Sequence, residues 1–136
     1  MAVEIVSTYI GELSVRNVHG PSQSNFDTTA PVDNGGTGKY FSPTDLLATA
    51  FGSCALTVMA KAIEQNGVDF GNSTVSVTKH MHKQPRRLAK LVAIFTLPSE
   101  CSSSDRDLLE RTAKECPARL SLHPEVEVEF VFNYDL

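Results

Sequence analysis

The chain has 136 residues, 41% hydrophobic and 21% charged, which fits a single globular domain over residues 1–136. Its net charge is −4 and its twelve Lys and Arg residues are spread along the chain, which argues against nucleic acid as a partner. The N-terminus lacks the pattern of a signal peptide, and no window reaches the roughly 18 apolar residues of a membrane helix, so we expect a cytoplasmic protein without membrane contact.

Residues 1–29 are predicted to form strands. Alternating and β-branched residues over 3–10 and 13–18, around Gly11, indicate an N-terminal hairpin. Residues 23–29 are a candidate third strand.

A loop rich in Gly, Asn and Asp follows at residues 31–38. Its Gly-Lys ending is similar to a phosphate-binding loop. Position 33 is Asp rather than Gly, however, and Tyr40 replaces the Ser or Thr that would hold magnesium, so we expect a surface loop only.

The tetrapeptide SPTD at 42–45 predicts the start of a helix, because Ser at the N-cap, Pro at the first helical position and Asp three residues after the cap form a capping box. The helix is predicted to run to Asn66, where Gly67 supplies a left-handed stop. Apolar residues cover most of its circumference, so both sides should be buried.

Two more strands are predicted at 74–82 and 88–97, joined across the basic segment 83–87. A second helix should start with Ser103 or Ser104 as its cap and continue through Lys114.

The segment EVEVEFVFNY at 125–134 alternates acidic and apolar residues, which is typical of a half-exposed strand. The order βββ-α-ββ-α-β favours an α+β fold over a parallel βαβ series.

The chain has three cysteines, Cys54, Cys101 and Cys116, and no C-x-x-C pair, so it lacks both a zinc-knuckle and a thioredoxin-type motif. In a reducing cytosol, a disulfide between any two of them would be transient, and therefore catalytic or sensory rather than structural.

The first cysteine lies on an apolar stripe of the predicted central helix, formed by Leu47, Phe51, Cys54 and Val58 at helical spacing. A buried free cysteine is an ordinary core residue, so this pattern alone leaves packing and reactivity both open.

Cys116 precedes Pro117 and is predicted to cap a short helix through Leu120, a location that lowers a thiol pKa. A simple helix break is the alternative interpretation. Cys101 lies in a predicted loop and is expected to be incidental.

The run DNGGTGKYFSPTDLLATAFGSC resembles the loop, helix start and small-residue-Cys segment of the OsmC/Ohr family, named for an osmotically inducible protein and for organic hydroperoxide resistance. The second half is similar as well: KHMHKQPRRL at 79–88 resembles a basic turn of the family, and Cys116-Pro117 followed by HPEV at 123–126 resembles its second cysteine and final strand. The resemblance covers nearly the whole chain, as one OsmC-like domain.

This resemblance implies a thiol peroxidase working as an intertwined homodimer, in which two long helices are wrapped by antiparallel sheets and the active site lies at the dimer interface. Cys54 matches the peroxidatic cysteine, which attacks an organic hydroperoxide and becomes a sulfenic acid. Cys116 matches the resolving cysteine, which forms a disulfide with it. A dithiol reductant would complete the cycle, and neither a flavin nor a metal is implied.

The chain departs from the family where the thiolate is activated, because Thr44 stands where the best-known peroxidases have a Glu that pairs with an Arg. Three arginines remain candidates for activating Cys54, namely Arg16, Arg86 and Arg87. The stripe of Leu47, Phe51 and Val58 is the expected wall of an apolar substrate pocket.

Three other functions are compatible with parts of the sequence. A metal site could use His80, His82 and His123, but no carboxylate or cysteine stands at ligand spacing. A cysteine hydrolase with His123 as its base has no third residue to orient that base. The strongest rival is a non-enzymatic, stress-related binder of small apolar molecules at the dimer interface.

Overall fold

A computed structural model describes all residues, 1–136. The fold is mixed α+β, as predicted, with two long helices, two short helical segments and two three-stranded sheets. The chain divides into two compact units, residues 1–46 and 47–136. The single domain over 1–136 stays a prediction.

The N-terminal unit contains an antiparallel sheet in the order β1-β2-β3. Its strands are β1 at Ile5–Gly11, β2 at Ser14–His19 and β3 at Asn25–Thr29. The predicted hairpin is confirmed, and its two-residue turn places Glu12 and Leu13 at positive φ, the conformation of a tight hairpin connection. A one-turn 3₁₀ helix, Val32–Asn34, lies in the loop after β3.

The central helix, α1, spans Pro43–Ile63. Its predicted capping box is confirmed: the Ser42 amide donates to Asp45 Oδ2 at 2.8 Å, and the Asp45 amide donates to Ser42 Oγ at 3.1 Å. The helix ends three residues before the predicted Asn66, because the chain turns tightly there, with the Asn66 amide on the Ile63 carbonyl at 3.0 Å. Gly67 has the expected left-handed conformation, with φ of 72°.

Within the single chain one face of α1 is buried; burial of its other side, which the sequence predicted, stays a prediction. The buried residues recur at helical spacing: Ala48, Phe51, Gly52, Ala55, Met59 and Ile63. On the other side, Leu47 is 44% exposed. By length and composition α1 could also cross a membrane, so the expectation that no segment qualifies is wrong. Its buried face lies in the core, as in the central helix of a globular protein.

The C-terminal unit contains the second sheet, in the order β4-β5-β6, with strands at Thr74–Lys83, Arg86–Thr96 and Glu127–Asn133. β4 and β5 are antiparallel, as expected, but β6 pairs with β5 in parallel. The antiparallel expectation fails here because two helices between β5 and β6 form a crossover that returns the chain to the same end of the sheet.

Those two helices are α2, Ser103–Lys114, and α3, Pro117–Leu120. The cap of α2 is Ser102, rather than the predicted Ser103 or Ser104. The capping box forms between Ser102 and Asp105; Ser104 also has an acid, Asp107, three residues later, so the spacing alone did not decide between the serines.

The core lies between α1 and the second sheet. Gly52 allows a close approach of the two, because a Cβ there would lie 3.0 Å from Val77 and 3.2 Å from Val75. Further along the sheet Phe95 stacks on Phe132, with ring centroids 4.9 Å apart, and has no exposed surface. This packing fixes the rotation of α1, and therefore the direction in which Cys54 points.

Candidate active site

Cys54 lies near the middle of α1, at the border between its buried and exposed faces. It is partly buried and packs against the core, next to the fully buried Ala55. The preceding residue, Ser53, is exposed and belongs to a polar row in which Thr57 Oγ1 donates to the Ser53 carbonyl at 2.8 Å. The Cys54 thiol is therefore supported by the core and still reachable from solvent.

Cys116 is the N-cap residue of α3, as the sequence predicted. Its backbone is extended, with φ of −64° and ψ of 146°, and its carbonyl accepts the first helical hydrogen bond from Leu120 at 3.0 Å. The residue is 1% exposed. The rigid Pro117 and the cap geometry therefore hold a buried thiol in one orientation.

Both cysteines pack against the same hydrophobic core, although they are far apart in sequence. Cys54 contributes to the raised pKa of Cys116. All the groups involved lie in the C-terminal unit. The pairing of Cys54 with Cys116, which the family resemblance implied, stays a prediction.

The pKa of Cys116 is raised, mainly by burial and further by the neighbouring Cys54 thiol. The backbone amides of Arg119 and Ala118 oppose this rise without making a regular capping hydrogen bond. Helix capping was expected to lower the pKa of Cys116, and this expectation is wrong in direction. The cost of removing the thiolate from water exceeds the stabilisation that a helix of only four residues gives it. Cys116 is a protonated thiol at neutral pH.

Cys101 lies in a different environment, in the loop before α2, and is almost completely buried. Burial, followed by the charge of Asp105, raises the pKa of this thiol. Arg106 Nε donates to the Cys101 carbonyl at 3.1 Å, and its guanidinium lies 4.3 Å from the ring of Tyr134. The loop position was predicted correctly, whereas the burial was not.

Arg16 and Arg87, two of the candidate activating arginines, pair with carboxylates. Arg16 forms a two-point ion pair with Asp27 on the adjacent strand, at 2.9 and 3.0 Å. Arg87 lies 3.3 Å from Glu125. Arg86 is exposed at the start of β5. A carboxylate thus offsets the charge of Arg16 and of Arg87.

Arg119 was not singled out in the sequence, yet it lies close to Cys116 in α3. Its backbone amide acts on the Cys116 sulfur, and its side-chain Nε is buried without a hydrogen-bond partner. An unpartnered buried donor is costly, which makes it a candidate functional group. The available signal was its position one helical turn after Cys116.

The predicted pocket residues have different environments. Phe51 is fully buried, with its ring edge-on to Phe130 at 5.8 Å. Val58 is partly buried and Leu47 is exposed. A molecule approaching Cys54 along α1 would therefore meet Leu47 and Val58, with Phe51 behind them as support.

The histidines weighed as metal ligands are not gathered into a site. His80 and His82 are exposed on one face of β4, and His123 Nδ1 accepts the Glu125 amide at 3.1 Å. Residues 1–136 contain no group of three or more His, Cys, Asp or Glu side chains that could hold a metal ion. The structure offers no ligand set for that alternative.

Known proteins similar to this chain fall into one group. A family model described as OsmC-like protein matches residues 36–131. A solved structure from Psychrobacter arcticus 273-4, described as a candidate osmotic stress induced and detoxification response protein, is 35% identical with a TM-score of 0.90. The match covers 95% of this chain and 94% of that one. No curated protein matches this chain.

More distant structures share the fold. An organic hydroperoxide resistance protein OsmC from Legionella pneumophila is 14% identical with a TM-score of 0.78, over 98% of this chain and 97% of that one. The organic hydroperoxide resistance protein OhrB of Bacillus subtilis is 13% identical with a TM-score of 0.67, over 98% of both chains. At these identities the likeness establishes the fold alone.

Proposed function

Because this chain belongs to the OsmC-like protein family, we propose that it is a thiol-dependent peroxidase that reduces organic hydroperoxides. The observation that carries this proposal is that two cysteines pack against one core, with Cys54 reachable from solvent and Cys116 buried at the cap of α3. Two structural relatives that share the fold are described as organic hydroperoxide resistance proteins.

Cys54 is the better first nucleophile, because it is the more exposed of the two thiols. Its thiolate attacks the O–O bond of the hydroperoxide, giving a sulfenic acid and releasing an alcohol. Cys116 then condenses with the sulfenic acid to give a disulfide. An external dithiol restores both thiols by exchange.

The side chains near Cys54 favour an organic substrate. Leu47 and Val58 give the approach to the thiol an apolar surface, and each buried methylene of a substrate contributes about 0.8 kcal/mol. Bulky organic hydroperoxides should therefore react faster than hydrogen peroxide. Equal second-order rate constants for the two would contradict an apolar pocket.

The proposed working form is a cytoplasmic homodimer. Its support is the apolar surface that the single chain exposes, on α1 at Leu47 and on the first sheet at Ile5, Tyr9 and Phe26. A stable homodimer would bury such a surface. Sedimentation that shows a stable folded monomer at micromolar concentration would refute this part of the proposal.

The direct test counts free thiols before and after one equivalent of an alkyl hydroperoxide. The wild-type chain should lose two thiols and regain them with a dithiol reductant. Unchanged thiols, together with tight binding of an apolar ligand, would instead identify the non-enzymatic binder.

Cysteine variants assign the two roles. Cys54→Ser should abolish peroxide consumption, whereas Cys116→Ser should react once and leave a sulfenic acid that a dimedone-type probe traps. Cys101→Ser is the matched control and should behave like the wild type, since Cys101 lies in the loop before α2, where Asp105 and Arg106 are its charged neighbours. Labelling of Cys116 at an undiminished rate in Cys54→Ser would reverse the roles.

A further inference from the structure

The α1 helix places four side chains of different length around the Cys54 thiol. Residues three and four positions apart are neighbours on a helix surface, and the four neighbours of Cys54 at this spacing are Ala50, Phe51, Thr57 and Val58. Phe51 has no exposed surface and Val58 is partly buried, whereas Ala50 and Thr57 are exposed. On the solvent side, the thiol therefore lies between Ala50 and Thr57.

Thr57 forms a stiff wall on the C-terminal side of the thiol. Its side chain is β-branched, and its Oγ1 donates to the Ser53 carbonyl at 2.8 Å, which holds the side chain in one rotamer. Because Cα–Cβ bonds in a helix tilt toward its N-terminus, both Thr57 and Val58 lean toward Cys54. These two side chains narrow the approach to the sulfur from this direction.

The N-terminal side of the thiol is more open. The same tilt directs the Cys54 sulfur toward the turn of α1 that contains Ala50. The Ala50 side chain ends at its Cβ, and the next side chain of α1 along this line is Leu47, which is 44% exposed. The strip of helix between Leu47 and Cys54 is therefore apolar and has space above the Ala50 methyl group.

We infer that Ala50 determines which hydroperoxides react with Cys54, because the organic group of the substrate lies over the Ala50 methyl group and against Leu47. This inference rests on the proposed peroxidase function and adds a residue that sets the size of the substrate. Leu47 and Cys54 lie two helical turns apart, about 10 Å along the axis, which leaves room for a substituted aromatic ring or a short alkyl chain.

The short side chain of Ala50 matters only for a substrate that has an organic group. Such a group gains affinity by leaving water for the apolar strip, provided that it can reach the strip. A larger side chain at position 50 would occupy the same space and remove that contact. Hydrogen peroxide has no organic group and needs only access to the sulfur, so its reaction should depend little on this position.

The test fills the space above position 50. Ala50→Leu keeps an apolar residue of high helix propensity and adds a side chain over the strip. Oxidation of Cys54 is followed in single turnovers with cumene hydroperoxide and with hydrogen peroxide, each over a range of concentrations. The variant should react about tenfold or more slowly with cumene hydroperoxide, through weaker binding of that peroxide, and within about twofold of wild type with hydrogen peroxide.

Two further variants complete the experiment. Ala50→Val adds a smaller side chain, so its rate with cumene hydroperoxide should lie between those of wild type and Ala50→Leu, and it serves if the leucine variant fails to fold. The control is Lys61→Leu, which places a leucine at an exposed position of the same helix, two turns beyond Cys54, and removes only a surface ion pair with Glu64. Its rates should match those of the wild type with both peroxides.

Three results would overturn the inference. An equal loss of rate with both peroxides would mean that leucine at position 50 disturbs the helix or an interface that α1 forms. No loss with either would mean that the organic group lies elsewhere. In both cases the peroxidase function stands. A wild-type chain whose Cys54 reacts with neither peroxide would remove the proposed function, and the inference with it.

Discussion

The two units of this chain differ in how much of their own apolar surface they bury. In residues 47–136, one face of the sheet is covered by α1, and Phe95, Leu91 and Met59 have no exposed surface. In residues 1–46, the only buried residues are the polar Thr28, Thr29 and Ser42. Ile5, Val6, Tyr9 and Phe26 of the first sheet are each half exposed or more.

The difference shows that the C-terminal unit contains a core of its own and the N-terminal unit does not. A three-stranded sheet in a segment of this size cannot cover its own faces, so its stability must come from a surface outside the unit. The chemistry divides in the same way, since all three cysteines lie in the C-terminal unit. The N-terminal unit is better suited to association than to catalysis.

The largest expected effect is a loss of core packing in the C-terminal unit. Phe95→Ala removes a fully buried ring that stacks on Phe132, and should lower the free energy of unfolding by about 3–5 kcal/mol in urea titrations. The matched control is Val32→Ala in the N-terminal unit, where the side chain is 73% exposed and the cost should stay within about 0.5 kcal/mol. Similar losses of unfolding free energy at the two sites would contradict the difference in core packing between the two units.

The second prediction concerns the exposed face of the first sheet. The strand register places Phe26 on the same face as Ile5 and Tyr9, all of them large and exposed. If a second copy covers this face, Phe26→Glu should raise the dimer dissociation constant by about tenfold or more, equivalent to about 1.4 kcal/mol, in sedimentation equilibrium.

The control for that measurement is Asn25→Glu, on the same strand but the opposite face. It adds the same charge without removing an apolar contact. Equal weakening by both variants would indicate a general charge effect, and a dimer unaffected by Phe26→Glu would assign the interface elsewhere.

Features set by local chemistry could be predicted from the sequence. The capping box at Ser42 and the Cys116-Pro117 helix start each depend on a few neighbouring residues, and both are present in the structure. The β4 and β5 strands were also predicted, from their alternation, although β5 begins earlier, at Arg86.

Features set by distant contacts could not be predicted. The direction of β6 relative to β5 depends on how α2 and α3 cross the sheet, and the alternation of β6 is the same for either direction. The raised pKa of Cys116 follows from burial, which local sequence does not determine, and this reversed the expectation from helix capping. Arg119 was missed because its position matters only once Cys116 is buried.

A third prediction sharpens the assignment of chemistry to the C-terminal unit. The backbone amide of Arg119 acts on the Cys116 sulfur, and the Arg119 Nε is buried without a hydrogen-bond partner. If the guanidinium reaches the thiols, its charge should favour the thiolate form. Arg119→Met should slow iodoacetamide labelling of Cys54 at pH 8 by about three- to tenfold. A tenfold loss corresponds to about 1.4 kcal/mol of lost thiolate stabilisation.

A charge effect can be separated from a loss of packing at Arg119. Arg119→Lys keeps the cation and should restore most of the labelling rate, and the pH profile of labelling should move upward only in the Met variant. A Lys variant as slow as the Met variant would show that the shape of the side chain matters rather than its charge.

The smallest expected effect lies in the N-terminal unit, at the ion pair of Arg16 and Asp27. The hydrogen bonds from Arg16 lower the pKa of Asp27, so its carboxylate favours the folded state above its ordinary pKa, and that contribution is lost as the pH falls through the lowered value. Asp27→Asn should therefore lower the melting temperature slightly at pH 7. The difference from wild type should begin to shrink near pH 4, the ordinary pKa of an Asp, and should vanish only below the lowered pKa of Asp27. Added salt should reduce the difference at pH 7, because the Arg16 side chain is about half exposed to solvent. Glu12→Gln, at the exposed hairpin turn of the same unit, is the control for loss of one negative charge. If Asp27→Asn destabilised the chain as much as Phe95→Ala does, the first sheet would be held by its own polar contacts, and the dependence of the N-terminal unit on an outside surface would be wrong.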